Sequence, residues 1–352
     1  MRRPLHLTGL VLLVAAALVV AACGSSDNSS SSSGGGSSSG SKSTPAAKKI
    51  KVGLVTDIGG LNDRSFNQLA NQGLMQSEKT LGIQGRVLPS KSNSDYIPNL
   101  STLAEQKYDL VIGVGFLMAD AMDTVASKFP NTKFAIIDVD VSTLKHKPSN
   151  VTGLLFKEQE AGYLAGYMAG LYMKANGGDT ISSVGGQKIP PVDHYIAGYQ
   201  AGAKAADPGI KTLNGYSQDF VDQAKCKEAA LNQIQAGAKV VFQVAGQCGL
   251  GAIDAAKEKG VQAIGVDADQ SYLGSQILTS AEKKVDVAVE TAIKAAQAGN
   301  LQGGQNTTFD LQNNGVGIGK TNSTGAKYDA QVQAIAKKIT SGQVTNIPDT
   351  VK

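Results

Sequence analysis

The chain has 352 residues, a formal net charge of +4 and a hydrophobic share of 41%, with aromatic residues at only 5% and no tryptophan. No block of like charge stands out along it, which argues against a nucleic-acid-binding protein. With so few rings, each phenylalanine or tyrosine at a loop position carries more weight than usual.

The first segment, "MRRPLHLTGLVLLVAAALVVAACGSS", has two arginines and then an apolar run too short and too weakly flanked for a stop-transfer helix. Small residues follow before Cys23, so residues 1–22 read as a cleaved export signal. "VAAC", Val20 to Cys23, resembles the bacterial lipobox, whose cysteine takes a diacylglycerol and becomes the first mature residue. The alternative is a plain secretory signal with an incidental cysteine. Loss of Arg2 and Arg3 with the signal lowers the formal charge from +4 to +2. Residues 23–47 are serine and glycine with little else. That composition cannot bury enough apolar surface to order itself and reads as a flexible tether of roughly 25–30 Å. The expected location is the extracytoplasmic face of a cell membrane, through a lipid anchor at Cys23.

About 300 residues follow Lys48, too many for one core and natural for two α/β lobes. Short apolar runs alternate with helical stretches: "KVGLV", a helix from about Ser65, "GRVLPS", a helix near Ile97–Gln106, "DLVIGV", a helix near Met118–Lys128, then "KFAIID". After "NVTGLLF" the pattern restarts with a helix over about Lys157–Lys174, "TISSVGG", a helix over Tyr195–Ala205, "KTLNGYS", a helix from Gln223, "KVVFQVAG", a helix to Lys259 and "VQAIGVD". This alternation implies βαβ units and parallel sheets. "YDLVIGVGFLMADAMDTVASKFPNTKFAIIDVD" echoes "AKVVFQVAGQCGLGAIDAAKEKGVQAIGVDAD" as strand, glycine turn, helix, strand and terminal Asp. "SQDFVDQAK" reads as a counterpart of the opening turn "TDIGGLNDRSFNQ". The expectation is two similar doubly wound lobes with a ligand cleft between them.

In open parallel sheets ligands collect at the carboxyl ends of the strands. The opening turn, "GVGF", "IID", "QDF", "AGQCG" and "GVD" all lie at such ends, and one cleft can gather them. No catalytic constellation emerges. Once His6 leaves with the signal, His146 and His194 stand without a Cys or Glu at zinc spacing, and no H-E-x-x-H, G-x-S-x-G or Walker pattern occurs. No enzyme, cofactor or metal site is expected. Phe66 forms an apolar stripe with Leu69, Ala70, Gly73 and Leu74, so inward packing competes with a cleft role for it. Phe220 has no such stripe. Cys226 and Cys248 remain as an even pair once Cys23 is lipidated and read as a disulfide; two buried thiols are the alternative, because Cys226, Ala230 and Ile234 share a helix face.

"VGLVTDIGGLNDRSFNQLANQGL", "VGGQKIPPVDHYIAGYQAGAK", "DFVDQAKCKEAALNQI", "VFQVAGQCGLG" and "IGVDADQ" with "TSAEKKVD" resemble the BMP (basic membrane protein) family of lipoproteins, from about Lys48 to the C-terminus. The resemblance implies a type I periplasmic-binding-protein fold, with residues 48–155 plus about 270–312 in the N-terminal lobe and 156–269 plus about 313–352 in the C-terminal lobe. It implies a monomeric receptor that captures nucleosides, purine ones first, and hands them to an ABC importer permease. Carried onto this sequence, Asp57 and Asp138 hydrogen-bond the base, Phe66 and Phe220 stack on it, Asp267 and Lys283 take the sugar, and Gly246 admits close backbone approach. For the two base acids, simple turn-ordering and capping are the competing roles. Where the family reads "GGTG" this chain has "GQCG", and Glu282 stands where an apolar residue is usual. A sensing lipoprotein of the same fold is the second reading, and a nucleoside-processing enzyme the third.

Overall fold

The structure is a computed structural model that describes residues 48–351; Cys23, the signal and the tether lie outside the described residues. From Lys51 onward the chain runs as successive βα units. These are β1 (Lys51–Val55), α1 (Phe66–Leu81), β2 (Gln84–Leu88), α2 (Tyr96–Glu105), β3 (Leu110–Gly113), α3 (Ala119–Lys128), β4 (Lys133–Ile137) and β5 (Val151–Phe156). The pattern repeats through α4 (Glu158–Asn176), β6 (Thr180–Gly185), α5 (Pro190–Ala206), β7 (Lys211–Tyr216), α6 (Gln223–Gln235), β8 (Val240–Val244), α7 (Gly249–Lys259), β9 (Gln262–Asp267) and β10 (Ile277–Lys283). The chain closes with α8 (Val285–Gln297), β11 (Gln305–Phe309), β12 (Val316–Ile318) and α9 (Asp329–Thr340).

Two six-stranded sheets result, ordered β11-β5-β4-β3-β1-β2 and β12-β10-β9-β8-β6-β7. Among the described residues, all pairings are parallel except that of β10 with β12. Central strands such as β3, with every residue buried, show the near-continuous apolar run of a sheet covered on both faces. The chain passes between the sheets at Lys157, at Lys284 and within residues 310–315. These crossings are tied to one another. The Lys157 ammonium meets Asp310 at 3.0 Å, the Lys157 amide donates to the Phe309 carbonyl at 2.9 Å, and the Lys284 amide to that of Gly315 at 2.9 Å.

Two sequence expectations are corrected here. The N-terminal lobe regains the chain after Lys283 and not near residue 270, because Ile277–Glu282 pair with Ala263–Asp267 and so add β10 to the second sheet. The topological counterpart of the opening turn is also different. That turn follows β1, whose equivalent in the second sheet is β6; "SQDF" follows β7, the equivalent of β2. The echo of β3-α3-β4 in β8-α7-β9 holds to the level of the backbone: Asp138 after β4 and Asp267 ending β9 both adopt left-handed φ, 69° and 59°.

Helix α5 begins earlier than its apolar pattern announces, because Pro190 and Pro191 open it. A proline in the first turn has no amide to leave unpaired and a φ already suited to the helix. It packs on α4 at a separation only glycine permits. A Cβ on Gly166 would lie 1.9 Å from the Tyr199 carbonyl, and one on Gly202 2.0 Å from that of Tyr163. Gly166→Val is therefore expected to force the helices apart and lower stability by at least the 1–3 kcal/mol typical of overpacking, read as the shift in a thermal melt.

Candidate functional site

The carboxyl ends of both sheets meet in one cavity that takes in about 610 Å³, its open mouth included. Asp57, Phe66, Asp138, Phe220, Gly246, Asp267 and Lys283 all line it, together with Asp63, Asn67, Tyr195 and Gln247 among others. The sequence-derived residues are thus all brought together, the first three from the first lobe and the rest from the second.

The opening turn is ordered by its own acids. Asp63 is buried and accepts from the amides of Ser65, Asn67 and Gln68 at 3.1, 2.7 and 3.1 Å, which caps the start of α1. The Asp57 amide donates to Asn67 Oδ1 at 2.9 Å. Asp57 Oδ1 accepts the Ile58 amide at 2.7 Å and the Tyr96 hydroxyl. Asp57 thus does order its turn, yet its carboxyl also lines the cavity. Oδ2 would lie 2.6 Å from a Cβ on Gly115, whose φ of 107° and missing side chain leave room for the carboxyl and for the Phe66 ring. Burial pushes the Asp57 carboxyl up to about 6, against the lowering effect of the Tyr96 hydrogen bond.

Phe66 opens α1 half-buried, while Ala70, Gly73 and Leu74 behind it are fully buried. Its ring starts the apolar stripe and ends it in the cavity. Phe220 comes from the loop between β7 and α6, in the other lobe. Its carbonyl accepts the Cys248 amide at 3.0 Å. Gly246, at φ 54°, lets its turn approach: an added Cβ would sit 3.6 Å from that carbonyl and 3.9 Å from the ring. Cys226 and Cys248 are joined by a disulfide with Cα atoms 5.6 Å apart. It links the start of α6 to the start of α7 and so brackets the Phe220 loop. Gln247, next in the same turn, faces the cavity.

Charge is concentrated at the centre. The Lys283 side chain is 2% exposed and donates to Asp138 Oδ1 at 2.6 Å and to Glu158 Oε1 at 2.8 Å. Lys283 lines the cavity, whereas its neighbour Lys284 pairs with Glu282 in a partly exposed position. Burial works against the Lys283 cation, but Asp138, Glu158 and Asp267 more than offset it and hold its pKa up. For Asp138 burial wins over the attraction of Lys283, and its carboxyl is pushed up. Burial also acts on Glu158, but Lys283 and His194 overcome it and keep that carboxyl ionised below the usual range.

The lobes are directly bonded at the cavity. Ser65 Oγ of the first lobe donates to Asp267 Oδ2 of the second at 2.6 Å. Gln270 Nε2 reaches the Arg64 carbonyl at 3.1 Å, and the Arg64 guanidinium lies 5.9 Å from the centre of the Tyr272 ring. The Tyr195 hydroxyl donates to Asp267 Oδ1 at 3.1 Å. Ser65, Tyr96, Glu158, His194 and Tyr195 are partners that sequence reasoning missed. The clearest signal among them was "DHY" beside the diproline that opens α5.

A family model described as "ABC transporter substrate-binding protein PnrA-like" matches residues 50–350. An uncharacterized lipoprotein of Pyrococcus abyssi is 40% identical over 283 residues, 77% of this chain and 69% of that protein. A Lactococcus lactis protein named ABC transporter nucleoside-binding protein BmpA is 35% identical over 318 residues, 84% of this chain and 88% of its own length. Among solved structures, an ABC transporter solute-binding protein from Aeropyrum pernix superposes with a TM-score of 0.76 at 27% identity, covering 85% of this chain and 94% of that one. With two α/β lobes, a shared cavity and a match over nearly all the described residues, the chain belongs to the Bmp family of PnrA-like ABC transporter substrate-binding proteins.

Proposed function

We propose that the protein is a lipid-anchored receptor that captures nucleosides, purine nucleosides foremost, outside the cytoplasm and delivers them to an ABC importer permease. The observation that carries this reading is the pairing of half-buried rings from different lobes, Phe66 and Phe220, with carboxyl groups from both lobes around one cavity. A nucleobase has two π-faces for the rings and N–H edges for Asp57 and Asp138. A ribose has vicinal hydroxyls for Asp267, whose ionised form makes charge-assisted hydrogen bonds. The Lactococcus relative named as nucleoside-binding supports the same ligand class. The protein's work is binding and release, without bond chemistry.

Calorimetric titration with adenosine, guanosine, inosine and their free bases tests the assignment. Phe66→Ala and Phe220→Ala are each expected to weaken nucleoside binding by about 1–3 kcal/mol, roughly five- to more than a hundredfold, with the free bases affected equally. Asp267→Ala is expected to weaken nucleosides far more than free bases, which lack the sugar. Wild-type affinity for all six compounds by all three variants would refute the assignment.

The anchor is tested separately. Cys23→Ser is expected to release the protein from the membrane fraction, because serine at that position cannot carry the lipid. Retention of the variant with the membranes would count against a lipobox.

A further inference from the structure

Lys283 is held from two sides. Its ammonium carries three donors. Asp138 and Glu158 take two of them, at 2.6 and 2.8 Å, which leaves one for the cavity that Lys283 lines. The rings of Phe66 and Phe156, their centres 5.1 and 4.8 Å from the nitrogen, flank it with favourable faces. Asp138 belongs to the first lobe and is itself a cavity wall. Glu158 is not a cavity wall: it is fully buried behind Lys283 as the first residue of α4, where the helix terminus favours a carboxylate.

Both Glu158 oxygens are engaged. Oε1 faces Lys283, and Oε2 meets His194 Nδ1 at 3.0 Å, on a side chain 29% exposed to solvent. The carboxylate cannot turn without breaking one of these bonds. Its position in the chain matters as well. Glu158 directly follows the first crossing between lobes, at Lys157, and Lys283 directly precedes the second, at Lys284. Without Glu158 the ammonium would be drawn wholly onto Asp138 and towards Asp267, the acids that face the ligand.

We propose that Glu158 is a positioning residue of the ligand site: it holds the Lys283 ammonium between the lobes with one donor turned to the cavity, and His194 braces Glu158 from the solvent side. The proposal rests on the reading of Lys283 as a ligand contact.

A double-mutant cycle distinguishes positioning from a general contribution to folding. Inosine and, separately, D-ribose are titrated into wild type, Glu158→Gln, His194→Gln, Lys283→Met and the two doubles with Lys283→Met, below the melting temperature of each. Glu158→Gln, which keeps the shape and loses the charge, is expected to weaken inosine binding about tenfold and His194→Gln about threefold. In the Lys283→Met background each is expected to act less than about twofold, because the group they position is gone. Effects that multiply unchanged into that background overturn the proposal, as does wild-type affinity of Glu158→Gln. If wild type binds ribose but not inosine, the nucleoside reading fails while the same cycle on ribose decides the role of Glu158. Binding of neither by wild type overturns both.

Discussion

Lys283→Met is expected to lower the unfolding free energy by about 3–5 kcal/mol at pH 7.5, the range for removing one partner of a buried ion pair. The cause is not lost packing, since methionine fills most of the space. Three carboxyl groups, Asp138, Glu158 and Asp267, would stand buried without their cation. The folded-state pKa values of Asp138 and Asp267, already above the unfolded ones, would then rise further, and that of Glu158, which Lys283 helps to hold below its ordinary value, would rise as well. A carboxyl whose folded pKa is raised costs stability above that pKa and nothing below the unfolded value, so the penalty shrinks as the pH falls. Chemical denaturation of wild type and variant at pH 7.5 and pH 5 should therefore show the gap between them narrowing in acid. An equal gap at both pH values would mean that Lys283 contributes by packing alone.

That cluster also shows where sequence reading reached and where it stopped. Asp138 and Asp267 were legible because each ends a strand in a repeated strand-turn-helix-strand pattern, and the ends of parallel strands converge. Both prove to share a left-handed backbone as well. Glu158 and His194 were not legible, since they open or enter long helices whose periodicity is uninformative about what their first turn faces. Tyr195 enters the sequence reading only as the start of a helix. Its hydroxyl meets Asp267 at 3.1 Å, a contact between residues 72 positions apart that no local pattern announces.

The lobe boundary near residue 270 failed for a different reason. "SQILTSAEK" carries no strong turn signal before Lys283, and a short polar-apolar strand is hard to assign to one of two similar sheets by pattern alone. Only the pairing of β10 with β9 decides it. Phe66 was ambiguous between core and cleft because it is the point where the two meet, at the start of a helix whose following turns are core.

Reducing the disulfide between Cys226 and Cys248 is expected to cost about 2–4 kcal/mol, because a cross-link spanning 22 positions removes conformations mainly from the unfolded chain. A thermal melt with and without reductant measures it, and the pair Cys226→Ala with Cys248→Ala is the control, expected to melt like the reduced wild type and to ignore the reductant. Ligand binding should suffer too, though less. The bridge holds the start of α7 against the Phe220 loop, where the Cys248 amide bonds the Phe220 carbonyl and the Gly246 turn lies beside the ring. Loosening it lets Phe220 sample other positions, so the bound ring must be ordered at the moment of binding. The affinity loss should thus appear for nucleoside and free base alike and vanish in a Phe220→Ala background. If the oxidised protein instead yields two thiols to alkylation without reductant, with no change in the melt on adding it, the cysteines serve as buried apolar groups and the Phe220 loop is held by its hydrogen bonds alone.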